Sequence, residues 1–224
     1  MECRTWDSVA SQDRVVRVLV ACEESGAVRD SFISMGHDAI SCDLQETRSP
    51  GPHYKGDVRD ILYDGWDMVI AHPVCTYICN SGVCHLWNDD GSKNAERWEC
   101  LEDACEFFRL FVDLDCDKKA IENPIPHKYA LDLIGVKYTQ IIQPWMFGHT
   151  EQKATCLWLY GLDKLIPTND VYREMMSLPD NQRQRLHYLP PGPERAKLRS
   201  ETFTGIAGAM AEQWGNPKQG LLYA

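Results

Sequence analysis

The sequence predicts an α/β fold: a mostly parallel, doubly wound, seven-stranded sheet with one antiparallel edge strand. Three observations point there. Short apolar runs alternate with segments of helical period through the first five strands, as in βαβ units covered on both faces. The last two apolar runs are joined by a short polar turn with no helix, which fits a hairpin at one edge. Polar and acidic residues close strand after strand at one end, where open α/β sheets bind their ligands.

Val15 to Ala21 is a β-branched apolar run ending in the turn Cys22-Glu23-Glu24-Ser25-Gly26. Ala27 to Met35 has helical spacing through Val28, Phe32 and Met35, with Gly36 as its stop. Asp38 to Cys42 reads as the second strand, ending at Asp43, and the Pro- and Gly-rich connection Ser49 to Pro52 leads to a short third strand closing at Gly56-Asp57. Val58 to Tyr63 reads as a short helix and Met68 to Ala71 as the fourth strand. From Pro73 to Asn94 no period holds, and loops of such length in compact domains are usually functional or mobile. Ala95 to Leu114 is a helix with Leu101, Ala104, Cys105, Phe108 and Phe111 on one face. Lys119 to Ile121 is strand five, Lys128 to Leu133 a helix, Tyr138 to Ile142 strand six and Ala154 to Tyr160 strand seven. Gly161 to Ser200 reads as irregular, and Phe203 to Trp214 as a final helix with Ile206 and Met210 on its apolar face.

The 224 residues read as a single domain, 1–224, with 161–200 as an irregular basic insertion. No stretch approaches the roughly 18 apolar residues of a membrane span, so no membrane partner is expected. Ten cysteines on a chain whose start, Met1 to Ala10, is no secretory signal predict free thiols and a cytoplasmic location. The net charge of −10 argues against a generic nucleic-acid coat, because phosphate neutralisation rests on Lys and Arg. Its distribution matters more: Asn181 to Ser200 carries Arg183, Arg185, Arg195, Lys197 and Arg199 against Glu194 alone. A basic segment on an acidic body fits a nucleic-acid contact and a solvated loop equally well.

Two segments carry the chemistry. Ala71-His72-Pro73-Val74-Cys75 follows strand four, and Ile121-Glu122-Asn123-Pro124 follows strand five. A thiol and a carboxyl at neighbouring strand ends suggest covalent chemistry, with Cys75 as nucleophile and Glu122 as proton donor. Asp43 at the end of strand two suits a ribose, a general dinucleotide-fold device. Asp43 and Asp57 fit turn caps equally well. Cys75, Cys79, Cys84 and His85 miss the spacing of common zinc modules, so no metal site is expected.

In this order the segments resemble the DNA cytosine-5 methyltransferase family, and small phage-type members of it most of all. The nucleophile motif stands as Pro73-Val74-Cys75-Thr76 and the Glu-Asn motif as Glu122-Asn123-Pro124. The segment before strand seven is Phe147-Gly148-His149-Thr150-Glu151-Gln152-Lys153-Ala154-Thr155, and the final helix starts at Thr204-Gly205. The resemblance implies a Rossmann-like, S-adenosylmethionine-dependent methyltransferase fold and methylation of a flipped cytosine in DNA. It implies catalytic roles for Cys75, Glu122, Asn123 and Lys153, Lys153 helping to lower the Cys75 pKa and burial raising that of Glu122. Asn123 would hold backbone or carboxyl geometry. Cofactor contacts would come from Cys22, Glu23, Glu24, Ser25, Gly26, Asp43, Asp57, His72 and Pro73. Tyr77, Asn80, Arg183, Arg185 and Arg199 would meet the substrate. Only 161–200 is available as a target-recognition region, which leaves two further readings open. One is an enzyme of the same fold modifying a free pyrimidine nucleotide or RNA. The other is a methyltransferase-like protein that binds or inhibits without catalysing.

Overall fold

Seven strands form one sheet in the order β3-β2-β1-β4-β5-β7-β6 in the computed structural model, which describes residues 15–215. They are β1 (Arg17–Ala21), β2 (Asp38–Asp43), β3 (His53–Lys55), β4 (Met68–Ala71), β5 (Lys119–Pro124), β6 (Gln140–Ile142) and β7 (Thr155–Tyr160). The first five are parallel, and β7 runs antiparallel to both β5 and β6. This is the Rossmann-like arrangement of methyltransferase folds. The hairpin expected from the sequence lies at the β6 edge with β7 on its inner side, because β7 pairs with all of β5 while β6 has three residues to offer.

The helices are α1 (Ala27–Ser34), α2 (Ala95–Val112), α3 (Lys128–Ile134), α4 (Tyr172–Ser177), α5 (Asp180–Arg183), α6 (Arg185–Tyr188), α7 (Pro193–Ser200) and α8 (Thr204–Gly215). Alternation along the strands sorts the core into two layers. Val18, Val20, Met68, Ile70 and Leu157 face α1 and α8, meeting Phe32, Ile206 and Met210. Leu19, Val69, Ile121 and Trp158 face α2 and α3, meeting Leu101, Phe108, Phe111 and Ile134. Each such aliphatic side chain contributes roughly 1.5–3 kcal/mol by leaving water.

Three local expectations are corrected. The 161–200 segment holds four short helices, α4 to α7, anchored by buried Met175 and Leu186. Val58 to Tyr63 condenses to the 3-10 turn Val58–Asp60, capped when Asp57 accepts from the Arg59 amide at 2.9 Å. The loop from Pro73 contains a 3-10 stretch, Asn80–Leu86, and a further 3-10 turn, Pro144–Met146, lies in the connection between β6 and β7.

One buried charge organises the wall beside β2. Arg29 on α1 is fully buried and donates to Ser41 Oγ (3.0 Å), Thr47 Oγ1 (3.2 Å), Ser49 O (2.9 Å) and Pro52 O (3.4 Å), and pairs with Asp30. The guanidinium so replaces water as donor for a loop with no ladder of its own. Gly26 must stay glycine, since φ is +77° there and a Cβ would stand 2.4 Å from the guanidinium. Arg29→Met should destabilise the protein by about 3 kcal/mol, by stranding those acceptors and Asp30. A urea midpoint equal to that of the unchanged protein would refute this role.

Candidate active site

Four chain segments meet at the carboxyl ends of β1, β2, β4 and β5. After β1 the backbone turns sharply at Cys22, whose φ of +58° is left-handed. A non-glycine residue there costs about 1–2 kcal/mol. The turn that follows is built from its own side chains. Buried Glu23 accepts from the Val28 amide (2.7 Å) and the Arg29 amide (3.3 Å), capping α1, with Ser25 Oγ at 3.3 Å. Glu24 pairs with Arg48 at 3.1 Å. The Glu23 and Glu24 carboxylates therefore hold the turn together.

Asp43 and Asp57 behave as the capping alternative anticipated. Asp43 Oδ1 accepts from the Gln45 amide at 2.9 Å, and Asp57 accepts from the Arg59 backbone and side chain at 2.9 Å each. The Arg59 amide above all holds the Asp57 carboxyl below its usual range. Both carboxylates also lie close enough to Cys22 to help raise its thiol pKa, after burial. So the two acids and the β1 turn share one corner of the crevice.

The turn after β4 begins with His72, whose amide donates to Ala21 O at 2.9 Å, and continues through buried Pro73. Cys75 to Cys79 then makes one helical turn, closed by the Cys79 amide on Cys75 O at 2.9 Å. This turn is fastened to the chain beyond β5: the Asn80 amide donates to Ile125 O (2.8 Å), the His127 amide to Ile78 O (3.0 Å), and Cys79 bridges to Pro126. Buried His127 completes the joint. Its Nδ1 accepts from the Ala130 amide at 3.1 Å, capping α3, and its Nε2 donates to Tyr77 O at 2.9 Å. The nucleophile turn and the Glu-Asn segment are thus held as one body.

The electrostatics depart from the sequence expectations in two ways. The Cys75 and Cys79 thiols lie one helical turn apart and act on each other, so the pair releases its first proton readily and its second with difficulty. The neighbouring Cys75, with a hydrogen bond to Ser81 at 3.1 Å, draws Cys79 down to about 5, and Arg199 adds to the effect. Cys75 is pushed above the ordinary thiol range by Cys79 first, then by burial and Glu122, and Lys153 opposes this only weakly. Glu122 was expected to titrate high. Burial does push it up, but the His72 hydrogen bond, the Lys153 charge and the His72 charge outweigh burial, and its pKa is lowered. His72 Nδ1 and Glu122 Oε2 are 2.8 Å apart.

The remaining expected residues fall out as follows. Asn123 is fully buried, and neither amide atom has a hydrogen-bond partner among the described residues, so it does not brace the carboxyl as expected. Lys153, just before β7, donates to Glu201 O at 3.3 Å and lies near both Glu122 and Cys75. Tyr77 turns towards α2, its ring 4.3 Å beneath the Arg97 guanidinium, and Cys100 does most to raise the pKa of its hydroxyl. Asn80 is exposed beside the turn. Arg183 pairs with Asp180, and Arg185 with Glu151 at 3.0 Å, so both are committed within the protein. Arg199 is exposed and close enough to act on Cys79. Sequence reasoning missed Cys79 as a partner of Cys75, although one-turn spacing puts both on one side of a helical turn. Among the described residues no cluster suited to a metal ion occurs, and no helix is long and apolar enough to cross a membrane. The cleft lined by Glu122, Lys153, Thr155, Thr202, Phe203 and Ile206 encloses about 10 Å³, room for a single water.

No protein-family model matches the chain, and no curated protein sequence does. Among solved structures it is similar to the S. pombe Dnmt2 methyltransferase, with 11% identity, a TM-score of 0.40, and 80% of this chain and 61% of that one covered. It is also similar to WbdD, solved with the kinase inhibitor LY294002, with 12% identity, a TM-score of 0.36, and 69% and 38% covered. The chain therefore spans less than two thirds of the length of either structure.

The dithiol has a direct chemical readout. Cys79→Ala should speed alkylation of Cys75 by iodoacetamide at pH 7 severalfold, because it removes the neighbour that does most to hold the Cys75 thiol protonated. Exposed Cys84 serves as the internal reference for mass-spectrometric site mapping. Equal Cys75 labelling in both proteins would exclude a shared proton.

Proposed function

We propose that this protein is an S-adenosylmethionine-dependent methyltransferase that modifies C5 of a cytosine in DNA through a covalent adduct with Cys75. The supporting observation is the convergence at the ends of β4 and β5. A proton-sharing thiol pair and a buried carboxylate stand within electrostatic reach of each other and of Lys153.

The cofactor corner fits the group. The left-handed turn at Cys22 bends the backbone sharply at the carboxyl end of β1, beside Asp43 and Asp57. Asp43 Oδ2 would accept from the ribose hydroxyls and Asp57 from the adenine amino group. His72 Nε2 and the Asn123 amide, all buried without partners among the described residues, offer further donors and acceptors for a ligand. Bound there, S-adenosylmethionine would supply an electrophilic methyl group.

The chain's residues would make C5 able to accept it. Cys79, as thiolate, takes the proton of Cys75 while the Cys75 sulfur bonds to C6 of the ring. The C5=C6 electrons move towards N3, which Glu122 meets. After the methyl group has joined C5, that carbon's proton leaves to water, C5=C6 reforms, and the C6–S bond breaks. The Cys75 thiolate then recovers its proton from Cys79. Because the cleft at Glu122 has room for no more than a single water, entry of a base would displace side chains lining it, and a base in duplex must first be flipped out. Arg199 would then meet phosphate, and 161–200 would stand as the target-recognition region.

A second reading has an observation of its own. Arg183 and Arg185 are tied to Asp180 and Glu151, which reduces the free positive charge for a DNA backbone and favours a pyrimidine nucleotide or RNA.

Labelled S-adenosylmethionine with DNA, RNA and dCMP should give 5-methylcytosine in DNA. Cys75→Ser should abolish transfer, and Glu122→Gln should lower kcat by about 10²–10⁴. A 5-fluorocytosine oligonucleotide should remain attached to the Cys75 peptide in mass spectra. Full transfer by Cys75→Ser, or no transfer to any substrate by the unchanged protein, would end this reading. Product from dCMP or RNA alone would establish the second.

A further inference from the structure

His72 is a buried titratable group for which the scheme above has only a marginal use. It sits at the end of β4 with its amide fixed on Ala21 O, and its Nδ1 is 2.8 Å from Glu122 Oε2. The two side chains are 8% and 11% exposed, so the pair is shielded from bulk water. Its other ring nitrogen, Nε2, is buried with no hydrogen-bond partner among the described residues. A ring present only to brace a carboxylate would have that nitrogen satisfied, because orphaned buried donors are costly. An orphan at this position is left for a ligand.

The neighbourhood explains why a proton store is needed. Lys153 stands close enough to Glu122 to favour its ionised form, so the resting carboxylate carries no proton of its own. N3 of a cytosine, however, must gain a proton as the thiolate adds to C6. We infer that His72 is a positioning residue that stores this proton on Nδ1 and delivers it through Glu122. The inference rests on the proposed meeting of Glu122 with N3.

The step balances without a further reagent. As the Cys75 sulfur bonds to C6 and electrons move to N3, the Nδ1 proton passes to the Glu122 carboxylate and from it to N3. The imidazole is left neutral, with its remaining proton on Nε2. When C5 loses its proton to water and the C6–S bond breaks, N3 returns its proton by the same route. The other titratable groups around the pair are Lys153 before β7, Cys156 on β7, Cys75 and Cys79 after β4, and Cys22 after β1. Any pH effect must be separated from theirs.

The test is a pH profile of kcat/KM for the unchanged protein, His72→Asn and Lys153→Arg. Asparagine keeps a donor near the Nδ1 position but does not titrate. The unchanged protein should lose activity on the alkaline side as the pair gives up its proton. His72→Asn should lower kcat about 100-fold with KM for the nucleic acid within threefold, and should lack that alkaline limb. Lys153→Arg should keep the limb, which removes Lys153 as its source. An intact limb and a rate within threefold in His72→Asn would overturn the inference. Nitrogen-15 spectra of the ring provide the second readout. Glu122→Gln should move the Nδ1 signal; an Nδ1 signal indifferent to Glu122→Gln would also overturn the inference. If the unchanged protein transfers no methyl group, the functional reading fails, while the spectra still report whether the pair exists.

Discussion

The joint made by His127 is the constraint on which the rest of the site depends. One buried imidazole caps α3 through Nδ1 and holds the Tyr77 carbonyl through Nε2. With the backbone bonds from Asn80 to Ile125 and from His127 to Ile78, it locks the Cys75 turn onto the chain emerging from β5. Without that joint the turn would be an irregular loop over a sheet edge, free to sample many backbone states at about 1–2 kcal/mol of entropy per residue. With it, the thiol and the carboxylate keep one separation whatever the outer loops do. Positional precision at a site of this kind comes from the supporting shell more than from the reacting groups.

Two proton-sharing pairs flank this joint. Cys75 with Cys79 and His72 with Glu122 each place a proton between two buried atoms that would otherwise have to take up or shed it from water. In a poorly hydrated site an isolated charge is costly, and sharing lowers that cost by keeping the opposing group within hydrogen-bond distance. Lys153 touches both pairs electrostatically, favouring the ionised form of Glu122 and opposing the upward pressure on Cys75. Lys153 thereby offsets negative charge at both a thiol and a carboxylate.

Much of the sheet was legible in the sequence, because buried parallel strands require continuous apolar runs and these are local. Strands β1, β4 and β5, and helix α2 with Leu101, Cys105, Phe108 and Phe111 buried, follow directly from period and punctuation. The helices within 161–200 did not. Four-residue helices such as α5 and α6 leave no period to detect, and their anchors are tertiary: Leu186 in the core, and Arg183 O accepting from the Gln152 amide at 2.7 Å. At the site, an acid at a strand end was visible at Asp43 and Asp57, but a capping acid and a ligand-binding acid look the same in one dimension. The His72–Glu122 contact spans fifty positions of sequence and leaves no local trace. Cys79 stands four positions after Cys75, a spacing that fits one helical turn as well as it fits a metal-ligand pattern.

The direction of β7 has an effect beyond topology. Antiparallel pairing sets Thr155 opposite Pro124 and Tyr160 opposite Lys119, so the start of β7 lies level with the end of β5. Lys153 precedes that start by two residues and is delivered to the mouth of the crevice for this reason alone. Were the same six residues laid down parallel, the mouth would receive the Tyr160 end, and the lysine would stand roughly 17–20 Å away at the floor of the sheet. Reversing one strand is thus a means of choosing which end of a segment, and so which charge, a binding crevice sees. The polarity of a strand becomes an electrostatic variable, fixed before any side chain is selected.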